Sequence, residues 1–96
     1  MEPKTFDDLD SMETWARSNQ DKVSRLLLRA WREVIEEGKQ NVVVISCSPD
    51  EYYEDMKIIV EKGEEEEALE TLLQETVDRE DYELAREITL LQDKIE

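Results

Sequence analysis

Histidine is absent from this 96-residue chain, and cysteine occurs once, at Cys47. Without histidine the commonest general base and the commonest transition-metal ligand are missing. One thiol closes no disulfide within the chain, and no cluster of Cys and His offers zinc ligands. A lone cysteine with no histidine to activate it reads as a small buried apolar residue rather than a nucleophile. Glycine occurs only at Gly38 and Gly63, and neither stands in a glycine-rich turn that would cradle a phosphate. The longest apolar run, Val42 to Ile45, falls far short of the roughly 20 residues that cross a bilayer. The stretch Met1-Glu2-Pro3-Lys4 lacks the basic start and apolar run of a secretory leader. These absences lead to the expectation of a cytoplasmic protein that is not an enzyme, with no metal, no cofactor and no membrane segment.

Basic residues are scarce beside acidic ones: 12 Lys and Arg against 27 Asp and Glu, a net charge of −15. Charged residues make up 41% of the chain, well above the roughly 25% of an ordinary domain. Leu, Ile, Val and Phe together number 24 of 96, above the roughly 20% below which so charged a chain stays disordered. A single folded domain over 1–96 follows. A domain of this size buries only about 60–65% of its unfolded surface, which leaves apolar area for a partner. The charge is uneven. Residues 1–47 hold 9 acids and 7 bases, net −2, whereas residues 48–96 hold 18 acids and 5 bases, net −13.

Periodicity supplies the elements. Thr5 with Asp8 forms a capping-box pattern, and Phe6, Leu9, Met12 and Ala16 (with Trp15) predict a short helix to about Arg17. Ser18 and Asp21 then open a long helix whose Val23, Leu26, Leu27, Ala30, Trp31, Val34 and Ile35 share one stripe, with Gly38 as its stop. Asn41 to Ser48, with three consecutive valines and an isoleucine, is the one convincing strand. It needs a partner for its ladder: the N-terminal residues, Met56–Glu61, a second copy of the chain, or a foreign protein. Ser48-Pro49-Asp50-Glu51 reads as a helix start. Tyr52, Tyr53, Met56, Ile59 and Val60 follow at helical spacing, so a helix to about Lys62 is expected, against the β-branched run Ile58-Ile59-Val60.

After Gly63, the acids Glu64, Glu65, Glu66 and Glu67 suit the positive end of a new helix. Leu69, Leu72, Leu73, Thr76 and Val77 form its apolar stripe. Beyond Asp78-Arg79-Glu80-Asp81 a last helix carries Tyr82, Ala85, Ile88, Leu91 and Ile95, with Leu84 on its flank, folded back antiparallel. The fold class expected is mainly α with one short β-strand, a small α+β domain of four to five helices ending in an αα-hairpin.

The spacing Leu69, Leu72, Leu73, Val77, followed by Glu80-Asp81-Tyr82-Glu83-Leu84-Ala85, makes the hairpin at 66–95 resemble the UVR motif. That helical hairpin occurs in excinuclease subunits B and C, in some Clp-type chaperone ATPases and in a protein-arginine-kinase activator. Two positions depart from the pattern: Arg86 stands where a second alanine is usual, and Thr89-Leu90 replace an arginine-aspartate pair. The resemblance implies a docking element that pairs with another hairpin into a four-helix bundle, with no catalytic residues of its own. Residues 1–62 carry no family resemblance.

Lys22, Arg25, Arg29 and Arg32 form a basic stripe opposite the long helix's apolar face. A net charge of −15 around them repels polyanions, so they are expected to pair with acids of this chain or a second subunit rather than bind nucleic acid directly. Of the adjacent Tyr52 and Tyr53, only one can face inward from a helix, and the other suits an interface. The function expected is a non-enzymatic interaction or assembly module that docks through the C-terminal hairpin and through strand pairing at the edge Val42–Ile45. Its partner is another protein, with a basic surface or a second copy making a homodimer. Val42, Val44, Tyr52, Tyr53, Leu69, Leu72, Leu73, Tyr82, Ile88 and Leu91 are the candidate docking residues, with Glu64–Glu67, Arg25, Arg29 and Arg32 as electrostatic ones. Two alternatives compete: an acidic nucleic-acid mimic that blocks a nucleic-acid-binding enzyme or regulator, and a small structural component of a larger complex.

Overall fold

A strand cannot satisfy its own backbone hydrogen-bonding groups and needs partners for them. In a computed structural model of the protein, which describes residues 3–48 and 56–95, the strand at Asn41–Cys47 has them. The elements run β1 (Lys4–Phe6), α1 (Leu9–Ser18), α2 (Gln20–Glu37), β2 (Asn41–Cys47), β3 (Met56–Glu61), α3 (Glu65–Asp78) and α4 (Tyr82–Gln92). The sheet order is β1-β2-β3, with β1 parallel and β3 antiparallel to β2. Register slips by one residue between Val43 and Ile45, so Val44 is an extra residue in β2. Such a bulge directs neighbouring side chains to one side, and Val44 and Ile45 are both buried, at 0% and 1% exposure.

Local chemistry sets the helix ends. The Ser11 N–H donates to Asp8 Oδ1 at 2.7 Å, capping α1. Gly38, at φ 71°, ends α2 in the left-handed conformation while the Lys39 N–H reaches back to the Glu33 carbonyl. Between α3 and α4 the same left-handed turn falls on a glutamate, Glu80, at φ 60°. Asp81 then caps α4 by accepting from the Leu84 N–H at 3.3 Å.

Helix α2 packs against the sheet and against the α3–α4 hairpin. One core therefore joins Leu28, Trp31 and Val34 of α2 to Val44, Ile45 and Val60 of the sheet and to Leu69, Leu72, Leu84, Ile88 and Leu91 of the hairpin. Two polar side chains are buried at this junction. Ser24 Oγ accepts from Arg79 Nη2 at 2.6 Å, and Thr76 Oγ1 donates to the Leu73 carbonyl at 2.8 Å. On the β1 side of the sheet the Phe6 and Trp15 rings meet at 5.5 Å between centroids, tilted by 53°, with the Lys4 ammonium over both.

The expected single short strand is thus corrected to a three-stranded mixed sheet with four helices among the described residues. Met56–Glu61 is a strand, not the end of a helix, because β2 supplies the ladder that its β-branched residues suit. The N-terminal residues and Met56–Glu61 both partner β2, one on each side. The expected helix start at Pro49–Glu51 lies outside the described residues. Thr5 belongs to β1, so Asp8 caps the first helix in its place. Helix α2 starts after Asn19, with no side-chain cap. Its buried set includes Leu28, absent from the expected stripe, because a helix covered on two sides buries more than one stripe. In α4 the face turns likewise: Leu84 is buried and Tyr82 is 64% exposed.

Candidate interaction surface

The geometry sorts the candidate docking residues by depth. Val42 and Val44 are buried in the middle strand, flanked by β1 and β3, so Val42–Ile45 is not the docking edge expected. Leu69, Leu72, Ile88 and Leu91 are buried between the hairpin and α2. Leu73 is half-buried, and Tyr82 is exposed. Tyr52 and Tyr53 lie outside the described residues. The hairpin's apolar stripe is therefore filled within this chain, by the two helices on each other and on α2, while Val77 of the expected stripe stays 41% exposed.

Besides the exposed Val77, Tyr82 and Leu90, the hairpin has an open groove where α3 lies beside α1 and α2. One hollow of about 390 Å³ is lined by Leu27, Glu64, Glu67, Ala68, Thr71, Leu72 and Glu75. A second, of about 410 Å³, adjoins it through Leu27 and Glu75 and extends over Ala16, Val23, Asp78 and Arg79. The floor is apolar and the rim acidic. Both features follow from the sequence: α3 begins with acids that complement its dipole, and its Ala68 leaves a gap beside Leu27. Among the described residues no basic side chain pairs with Glu64, Glu67 or Glu75. Glu65 turns away to accept from the Gly63 N–H at 2.6 Å, and Glu66 is exposed.

The basic stripe of α2 behaves differently. Arg32 approaches Glu87 of α4 at 3.9 Å, while Arg25 and Arg29 line a shallow hollow of about 270 Å³ with Leu84 and Glu87. At the end of α2, Lys39 hydrogen-bonds Glu33 and holds its carboxyl below the ordinary range, against the burial that pushes it up. The same contact raises Lys39. Lys94 hydrogen-bonds Glu36 and lowers its pKa, tying the chain after α4 to α2. These contacts fasten elements together.

The second open surface is β3. Met56, Ile58 and Ile59 are 50%, 44% and 42% exposed, and β3 ends the sheet. Sequence reasoning placed no interface here, although the run Ile58-Ile59-Val60 carried the signal. Among the described residues no three His, Cys, Asp or Glu side chains converge as a metal site, and no helix is long and apolar enough to cross a membrane. No family model, curated protein or solved structure matches the chain.

Proposed function

We propose that the protein is a non-enzymatic interaction module that receives a basic, amphipathic segment of another protein in the groove beside α3. The observation that carries this reading is the pairing of an apolar floor (Leu27, Ala68) with an unpaired acidic rim (Glu64, Glu67, Glu75). An amphipathic helix with lysines or arginines flanking its apolar face has the complementary pattern. The rim steers and orients, while the floor supplies most of the affinity.

The test is a titration with a helical peptide of alternating leucine and lysine turns, followed by amide chemical shifts at low and high salt. Shifts should concentrate at Leu27, Ala68 and Thr71. Leu27→Asp should abolish them with the fold retained, and charge reversal at Glu64 and Glu67 should weaken binding several-fold. If charge reversal abolished binding while Leu27→Asp changed nothing, the acidic-mimic reading would replace this one.

A further inference from the structure

The outer edge of β3 has no strand beside it among the described residues, and three apolar side chains stand exposed on the strand. Open edges of this kind are templates for pairing. Which backbone groups face outward is fixed by those that face β2. The Lys62 N–H donates to the Gln40 carbonyl at 2.8 Å, continuing the register Asn41↔Glu61 and Val42↔Val60. Because hydrogen-bonded pairs alternate along an antiparallel ladder, Lys62, Val60 and Ile58 turn their backbone groups toward β2. Glu61, Ile59 and Lys57 turn theirs away from the molecule.

Those three residues also share the sheet face opposite Val60, so the open edge presents a cation, an apolar centre and an anion at even spacing. Rotated by a half turn about Ile59, the triplet is its own complement. We propose that β3 pairs antiparallel with β3 of a second copy of this chain, with Ile59 opposite Ile59 and Lys57 opposite Glu61 at both ends. The two sheets become one of six strands, and each opposed pair exchanges both of its backbone hydrogen bonds. A shift by two residues sets Lys57 opposite Ile59 and leaves the charges unmatched. A shift by one sends facing side chains to opposite sides of the sheet.

Charge favours this occupant. The chain carries −15, yet residues 56–62 hold Lys57, Lys62 and Glu61, a local +1 within a half whose net is −13. Two copies meet here at the least acidic stretch of that half. Among the described residues neither Lys57 nor Glu61 has an ion-pair partner within its own chain.

One strand edge is a small interface, so self-association belongs at the weak end of the affinity scale and is followed by sedimentation velocity up to about 1 mM protein. The full chain should pass from monomer to dimer as concentration rises. Lys57→Glu and Glu61→Lys each set like charges opposite one another at both ends, and each should weaken self-association by about tenfold. Both residues are exposed, and unchanged melting curves verify the fold. Mixing the two variants makes every opposed pair complementary again and should restore dimers to the original strength. A chain that stays monomeric throughout, or a mixture that associates no better than its components, overturns the proposal. Neither result bears on the groove, which lies on other elements.

Discussion

The α3–α4 hairpin and the β3 strand belong to the same acidic half of the chain and solve opposite problems. The hairpin spends its acids on its outside, and Leu69, Leu84 and Ile88 beneath them are fully buried. β3 has few charges, and Met56, Ile58 and Ile59 stay in contact with solvent. On the hairpin, acids rim a groove over a filled core, whereas on β3 the apolar side chains themselves meet solvent. An average over residues 48–96 conceals that division.

The contrast breaks first in the core. Ile88→Ala should cost about 2–5 kcal/mol by leaving a cavity, lowering the melting temperature by about 10 °C or more in a domain of this size. Ile59→Thr, a comparable loss of apolar atoms on the exposed strand, should stay within about 0.5 kcal/mol for the monomer. Equal losses by chemical denaturation would mean that β3 is covered.

A smaller effect tests what holds the hairpin to α2. Arg79→Met leaves the buried Ser24 hydroxyl without its 2.6 Å donor, for a loss of about 1–2 kcal/mol. Adding Ser24→Ala should then cost less than it does alone, the signature of a shared contact in a double-mutant cycle. Glu80 sits at φ 60°, where glycine is unstrained, so Glu80→Gly should raise stability by about 0.5–1 kcal/mol in urea titrations.

The smallest expected effect is electrostatic. The folded-state pKa of Glu33 is lowered, chiefly by the hydrogen bond from Lys39. Its contribution is therefore present above the unfolded value, about 4.3, and is lost as pH falls through the lower folded value. Lys39 is raised, so its share persists below the unfolded value, about 10.4, and is lost as pH rises through the higher folded one. Glu33→Gln should destabilise at neutral pH, and the difference from the parent chain should shrink in acid. A difference constant down to pH 2 would exclude the ion pair as its source.

Much of this architecture is written in the sequence where one element suffices to specify it. The stripe of α2, the valines of β2 and the leucines of α3 lie where their spacing puts them. β1 is three residues long and shows no period, so only its pairing with Ile45–Cys47 defines it. β3 was obscured by competition: helical spacing from Tyr52 onward opposed the β-branched run, and the partner that decided between them lay in β2. The interior of the hairpin was legible, but its use was not. Leucines at helical spacing look the same whether they meet another protein or, as here, this chain's own α2. The groove depends on Leu27 and Ala68 meeting across two helices, which no local pattern records.

The parallel pairing of β1 has a consequence in time. Lys4 and Ile45 stand about forty residues apart, whereas β2 meets β3 and α3 meets α4 across short separations. Distant pairings form late because their loops close at the greatest entropic expense. The two tryptophans therefore clock different events. Trp31, in the core, reports the collapse of α2 onto its neighbours, and Trp15, tilted against Phe6, reports the arrival of β1. The docking of α2 on the hairpin is also long-range, 55 residues separating Ser24 from Arg79. In stopped-flow refolding the Trp15→Phe and Trp31→Phe chains should therefore each show a phase slower than local hairpin formation, one read in the core and the other at the first strand of the chain.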